Sequence, residues 1–374
     1  MNIHPPSAAL NPRRLLVRGV NWLGDAVMAT PALLRLREKF PEAHLALLTP
    51  GKLREVWTRH PATDEIISFE AGESVFDVAK KLRAGKFDTA LVLPHSPRSA
   101  LEVFLAGIPK RIGYSQPWRN FFLTDALPPR ANAVKMRKRS VSEIRTLVSE
   151  RSKVGNRRLE FSKWSHQIHE YLQLAAALGT SPQLLPPQLC VAPEEVESAK
   201  QKFGLDKVSG PIFGLNPGAE YGPAKRWPAE RFIATAREIQ RQTNCLWLIF
   251  GGNSDLEIAA RIASEIQNPK SNVQNLAGKT SLRDLMALLK LCGVLLTNDT
   301  GPMHLAAALG TPVAAIFGST SPELTGPVLS DHSSILKSHA SWSPCFLREC
   351  PIDFRCMNGI GVEETVKAVL QAVR

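Results

Sequence analysis

Three stretches of this chain hold residues whose types and spacing suit phosphate and proton-transfer chemistry. The first is LLTNDTGPMH at residues 295–304. An apolar run at 294–297 ends in a polar turn at 298–301, and an apolar helical segment at 303–309 follows. A helix beginning there offers unpaired backbone N–H groups and the positive end of its dipole to an anion. Gly301 lets the backbone approach a phosphate closely, Thr300 adds a hydroxyl, and His304 lies within the first turn. Asp299, Thr300, Gly301, Pro302, Met303 and His304 therefore suit a diphosphate. An Asn-Asp turn with an Asp cap accounts for the same pattern. The second stretch holds Lys225, in AKRWP, just ahead of a helix. A cation there offsets the charge that develops on a departing diphosphate. Arg226 is its rival, and both also read as surface charge. The third holds Asp25, which follows Gly24 at the end of the first strand. Such a carboxylate serves a hydroxyl nucleophile as general base, or simply caps the helix.

The elements that must position these residues alternate along the chain. Strands are expected at 13–19, 44–49, 65–69, 87–94 and 111–114, with helices to about residue 40 and at 52–59, 75–82 and 99–106. Pro31 is tolerable only in an opening turn, so an irregular start to the first helix is expected. From 116 to 165 the pattern dissolves, and a helix returns at 166–178. A second series follows. Strands at 211–216, 245–250, 272–276, 294–297 and 313–317 are separated by helices at 231–242, 255–266, 282–292 and 303–309, with a loop at 217–228. This order predicts an α/β protein with two Rossmann-like doubly wound domains facing across a cleft. Their expected extents are 1–180 and 188–350, joined by the proline-rich TSPQLLPP, with a cysteine-containing tail and final helix at 351–374.

Composition removes several classes. The chain has 374 residues, 44% of them apolar and 21% charged, as in an ordinary globular protein. No apolar run reaches the ~18 residues that span a bilayer. Two prolines near the N-terminus leave no room for a signal segment, so a cytoplasmic protein is expected. The net charge is +12, and ten basic residues stand between Arg130 and Arg158 against Glu143 and Glu150 alone. That block suits an acidic partner or forms a solvated loop. With only 3 Tyr and no stacking motif, nucleic acid is not expected. The chain lacks GxGxxG, DxD and HExxH, and Gly278-Lys279-Thr280 lacks the first glycine of a P-loop. A metal held by paired Asp residues is therefore not visible. His166 and His169 read as solvent-exposed. Cys345, Cys350 and Cys356 match no standard zinc spacing; they read as reduced thiols, with His339 a conceivable fourth ligand if a metal were held.

Taken together, these stretches resemble one family. RGVNWLGDAVMATPALLRLREKFP at 18–41, FDTALVLPHSPRSALEVFLAGIPKRIGY at 87–114, NPGAEYGPAKRWP at 216–228 and TNDTGPMHLAAALGTPVAAIFGSTSP at 297–322 are similar to the ADP-heptose:lipopolysaccharide heptosyltransferases of glycosyltransferase family 9, most of all the heptosyltransferase II type. The resemblance implies a GT-B fold with an acceptor-binding N-terminal domain and a donor-binding C-terminal one. It implies inverting, metal-independent transfer of L-glycero-D-manno-heptose from ADP-heptose to a heptosyl-Kdo-lipid A core. Other family 9 types and a GT-B sugar-nucleotide epimerase are the alternatives. The family's catalytic base falls on Asp25, beside acceptor residues Asn21, Trp22 and Gly24. Its phosphate lysine falls on Lys225, its diphosphate motif on Asp299–His304, and Gly218, Ala219, Glu220 and Tyr221 lie along the donor. A ribose-contacting carboxylate is expected near Asp255 without a secure position. Peripheral attachment to the inner membrane leaflet through the basic segment, and packing of the final helix on the N-terminal domain, complete the expectation.

Overall fold

The structure, a computed structural model, describes residues 11–149, 161–267, 272–329 and 333–373. Its described residues fall into two compact units, one within Met1–Ala133 and Trp164–Cys190, the other within Val134–Lys163 and Val191–Arg374.

The first unit is built on six parallel strands: β1 (Arg14–Arg18), β2 (His44–Pro50), β3 (Glu65–Phe69), β4 (Thr89–Val92), β5 (Lys110–Tyr114) and β6 (Asp125–Leu127), in the order β3-β2-β1-β4-β5-β6. The chain winds outward in both directions from β1 and β4, so a crevice opens at the carboxyl ends of those two strands. Central strands of a parallel sheet are covered on both faces, and Leu15, Leu16 and Val17 are fully buried accordingly. On one face Leu16, Ala46, Leu48, Ala90 and Val92 pack against apolar residues of α2 (Val75–Ala84) and α3 (Pro97–Leu105). Helix α1 (Leu23–Lys39) packs along α5 (Ile168–Ala176). Contrary to expectation, Pro31 lies inside α1, which starts regularly. Proline leaves the carbonyl four residues earlier without its N–H, and here the Thr30 hydroxyl donates to that carbonyl, Val27 O, at 2.8 Å.

The second unit repeats the plan with β7 (Ile212–Asn216), β8 (Leu246–Ile249), β9 (Asn272–Asn275), β10 (Val294–Asn298), β11 (Val313–Phe317) and β12 (Ser333–Lys337), ordered β12-β11-β10-β7-β8-β9. Here β7 and β10 are the central pair, so the loop after Asn216 and the turn after Asn298 leave adjacent strand ends. The helices are α4 (Val141–Ser149), α6 (Pro193–Lys202), α7 (Ala229–Thr243), α8 (Leu256–Ile266), α9 (Leu282–Leu291), α10 (Gly301–Ala308), α11 (Pro322–Thr325), α12 (Arg355–Asn358) and α13 (Val362–Ala372). Phe213, Leu215, Trp247, Ile249, Leu296 and Ile316 form one buried face with α7, α8 and α13.

The boundaries differ from those expected. Val134–Lys163 belongs to the second unit, because Ile144 of α4 is buried against Trp342 and Cys345. The final helix, expected on the N-terminal domain, packs on α7 and β10–β12 of the second unit. Its Val366, Val369 and Ala372 supply the apolar stripe that this face buries.

Candidate active site

At the shared carboxyl ends of β7 and β10 the sequence-predicted phosphate residues converge. Asn298 is fully buried, and its side chain ties the loop after β7 to the turn after β10. Its Nδ2 donates to Pro217 O at 2.8 Å and Gly218 O at 3.3 Å, while Trp227 N donates to its Oδ1 at 3.0 Å. Asn216 Nδ2 donates to the hydroxyls of Thr297 and Thr300, both at 3.1 Å. Thr300 is the residue ahead of α10, and Pro302 occupies its first turn, where a missing N–H costs nothing.

Asp299 is not a helix cap. Its Oδ2 accepts from Lys225 Nζ at 2.6 Å and from the Thr320 hydroxyl at 2.6 Å. Burial alone pushes this carboxyl up; the Lys225 charge and the Lys225 and Thr320 donors hold it below the usual carboxylate range. The two neighbouring cations take different partners. Lys225 turns to the β10 corner and lies 5.1 Å from the Tyr221 ring centroid. Arg226 pairs instead with Asp255, Nη2 to Oδ1 at 3.2 Å. His304 is buried in the same corner, where desolvation outweighs the Asp299 charge and lowers its pKa to about 4. At neutral pH it is a neutral imidazole, a donor that carries no charge. The corner thus combines a held ammonium, a helix N-terminus and a neutral His, a set suited to an anionic leaving group.

The glycines around this loop are sterically fixed. A Cβ on Gly218 would lie 2.3 Å from the Asp255 carboxyl carbon. Gly222 has φ +150, and a Cβ there would meet Arg348 O at 2.5 Å. The Arg348 segment is bonded to the loop: Ala224 N donates to Arg348 O at 3.0 Å, Arg348 Nε to Tyr221 O at 2.7 Å, and Tyr221 Oη to Phe346 O at 2.8 Å. Ala219 is buried and Glu220 exposed. Asn253 and Ser254 are exposed, whereas Asp255 is buried and also accepts from Gly252 N at 3.1 Å.

In the first unit, the crevice after β1 carries Asn21, Trp22, Gly24 and Asp25. The residue capping α1 is Trp22, with no side-chain cap bond, and Asp25 stands in the first turn, where the dipole favours its charge. Asp25 Oδ1 accepts from Gln167 Nε2 at 2.7 Å and from Tyr171 Oη at 3.0 Å. Below this turn Arg18 and Glu102 form a fully buried pair, Nε to Oε2 at 2.9 Å. Arg18 Nη1 also donates to Gly19 O at 2.6 Å and Asn21 Oδ1 at 2.9 Å, which sets the path of the turn. Trp22 is half exposed, with Lys52 Nζ 5.4 Å from its ring centroid.

Sequence reading missed Arg18, Glu102, Gln167, Tyr171 and Thr320, whose partners are distant in the chain. It also misread His166 and His169, which are buried: His166 Nδ1 accepts from Ile168 N at 3.2 Å, and His169 packs on Trp164 at 5.2 Å between centroids. Within the basic segment Arg130 and Arg139 are structural. Arg130 Nη2 donates to His166 O at 3.3 Å, and Arg139 Nε to Pro344 O at 3.1 Å. Arg151, Lys153, Arg157 and Arg158 lie outside the described residues. Cys345, Cys350 and Cys356 are free thiols lining one small pocket with Ala224, Ser319 and Trp342. Burial pushes Cys356 up to about 12. Among the described residues, no group of three or more His, Cys, Asp or Glu is arranged to hold a metal ion. No helix among them is long and apolar enough to cross a membrane.

The family described as Glycosyltransferase family 9 (heptosyltransferase) matches residues 148–354. Lipopolysaccharide heptosyltransferase 2 of Escherichia coli (strain K12) is 31% identical over 329 residues, 84% of this chain and 85% of that protein. Lipooligosaccharide heptosyltransferase 2 of Campylobacter jejuni (strain NCTC 11168) is 24% identical over 95% of this chain and 96% of that protein. The solved structure of E. coli ADP-heptose lps heptosyltransferase II superimposes with a TM-score of 0.76 at 28% identity, covering 96% of this chain and 98% of that one. A glycosyltransferase family 9 structure from Veillonella parvula shares the fold at the same TM-score, 0.76, with 24% identity, over 98% of this chain and 99% of that one.

Proposed function

Because this chain belongs to glycosyltransferase family 9 and is a glycosyltransferase of GT-B fold, we propose that it transfers L-glycero-D-manno-heptose from ADP-heptose to the inner core of lipopolysaccharide, with a heptosyl-Kdo-lipid A acceptor. The observation that carries this reading is the corner at β7 and β10, where Lys225 is held by Asp299 beside the N-terminus of α10 and a neutral His304.

In this reading the donor diphosphate binds along Gly218–Tyr221 and at Thr300–His304. An acceptor hydroxyl oxygen forms a bond to the anomeric carbon as the bond from that carbon to the diphosphate oxygen breaks. The electron pair leaves with ADP, whose charge Lys225 and the α10 N–H groups offset without a metal ion. The hydroxyl proton goes to Asp25. Attack from the face opposite the leaving group inverts the anomeric configuration. Asn21, Trp22 and Gly24 line the acceptor side. The chain's excess of positive charge supports a cytoplasmic enzyme attached peripherally to the anionic inner leaflet that carries its acceptor.

The test is Asp25→Asn. ADP affinity by calorimetry stays at the wild-type value, while turnover falls by about 10²-fold or more. Turnover near wild type would remove Asp25 from proton transfer.

A further inference from the structure

Asp25 does not stand alone in its turn. Gln167, just ahead of α5, and Tyr171, one helical turn further on, lie on the same face of that segment, as residues four apart do. Both donate to the same carboxylate oxygen, at 2.7 and 3.0 Å, and Gln167 Nε2 lies 3.0 Å from Tyr171 Oη as well. Tyr171 is buried, so its hydroxyl has no water to turn to.

We infer that Gln167 and Tyr171 are positioning residues for proton transfer, a two-donor clamp that fixes the rotation of the Asp25 carboxylate toward the acceptor hydroxyl. The inference rests on the reading of Asp25 as the base.

Two donors on one oxygen fix a carboxylate about its terminal torsion, which otherwise has a broad, shallow preference. Burial first, and the Asp25 charge second, raise the Tyr171 phenol well above its ordinary value, so it remains a donor throughout the working pH range. A bond that merely joined α5 to α1 would need neither the shared oxygen nor the link between the two donors. Other charged groups bear on any pH effect. Helix α5 carries His169 and Glu170 beside Tyr171, and the 3₁₀ turn Gly51–Trp57, which also packs on α1, carries Lys52, Arg54 and Glu55. None of these changes in the test variants.

The experiment uses the full chain with ADP-heptose and heptosyl-Kdo-lipid A, following kcat and kcat/KM against pH for wild type, Tyr171→Phe, Gln167→Leu and Asp25→Asn. Tyr171→Phe is expected to lower kcat about tenfold and leave ADP affinity unchanged. Because a lost donor makes protonation of the carboxylate easier, the acid limb of kcat/KM moves to higher pH. Gln167→Leu gives a smaller effect of the same sign and reads out the clamp should the Tyr171 variant fail to fold. An acid limb unmoved in either folded variant, or a loss of ADP affinity in step with rate, overturns the clamp. Asp25→Asn at wild-type turnover overturns the base itself, and the clamp with it; an inactive Asp25→Asn beside unperturbed Tyr171→Phe and Gln167→Leu overturns only the clamp.

Discussion

At the scale of single residues, the proposed anion site at the β10 corner rests on the Lys225–Asp299 pair. Lys225 remains partly accessible, while Asp299 is only 4% exposed. Lys225→Met therefore has two separable effects. Donor and ADP affinity fall about tenfold or more, because a charge-assisted contact to the diphosphate is lost. The protein is also destabilised by about 3 kcal/mol, because a buried carboxylate loses its partner. Adding Asp299→Asn restores most of the stability and none of the affinity. Calorimetric titration with ADP beside denaturant melts checks both, and full ADP affinity in Lys225→Met would exclude the lysine from the site. Neither role could be fully read in advance. The spacing in NDTGPMH points to a phosphate corner, but Thr320 lies 21 residues from Asp299 and its hydroxyl reaches the carboxylate only through the β10–β11 pairing.

At the scale of elements, the loop from Pro217 to Pro228 owes its shape to a segment more than 120 residues later. The Gly222 backbone lies against the carbonyl of Arg348 in a conformation open almost only to glycine. Gly222→Ala forces the two segments apart. We expect a stability loss of about 1–3 kcal/mol and ADP affinity lower by tenfold or more, checked by melting and titration; unchanged affinity would show that the donor does not lie along this loop. Elements with a strong apolar period were legible in the sequence, among them β1, β4, α7, α9 and β10. Those without one were not. Strand β6 is three residues long, and β12 offers one buried leucine, Leu336, on an edge. Helix α6, PEEVESAKQK, buries only Ala199 and is started by Pro193 and by the Glu195 carboxylate accepting from Ala192 N at 2.9 Å. Helix α4 was lost among basic residues because its single buried position, Ile144, meets Trp342 nearly two hundred residues on.

At the scale of the whole molecule, two histidines make stability depend on pH. Burial lowers both His60 and His304 to about 4. In the unfolded chain they titrate near 6.5, so below that pH the unfolded state binds the extra protons. Stability is full above pH 6.5 and declines toward pH 4, by roughly 3 kcal/mol for each histidine. Denaturant melts should show lower stability at pH 5 than at pH 7.5, by about 2 kcal/mol for each of these two histidines, and His60→Gln, outside the proposed site, should reduce the slope. A flat profile would mean that neither imidazole is held neutral. The two-unit α/β plan was readable from alternating periods, whereas the assignment of Val134–Lys163 to the second unit rests on contacts no local pattern carries.

Mass spectrometry of lipid cores incubated with this protein and ADP-heptose in excess chelator tests the central claim most directly. The account predicts one heptose gained per ADP released on the heptosyl-Kdo-lipid A acceptor, little on the core truncated before its first heptose, and a rate indifferent to the chelator. An unchanged heptosyl acceptor, or ADP released without transfer, would contradict it.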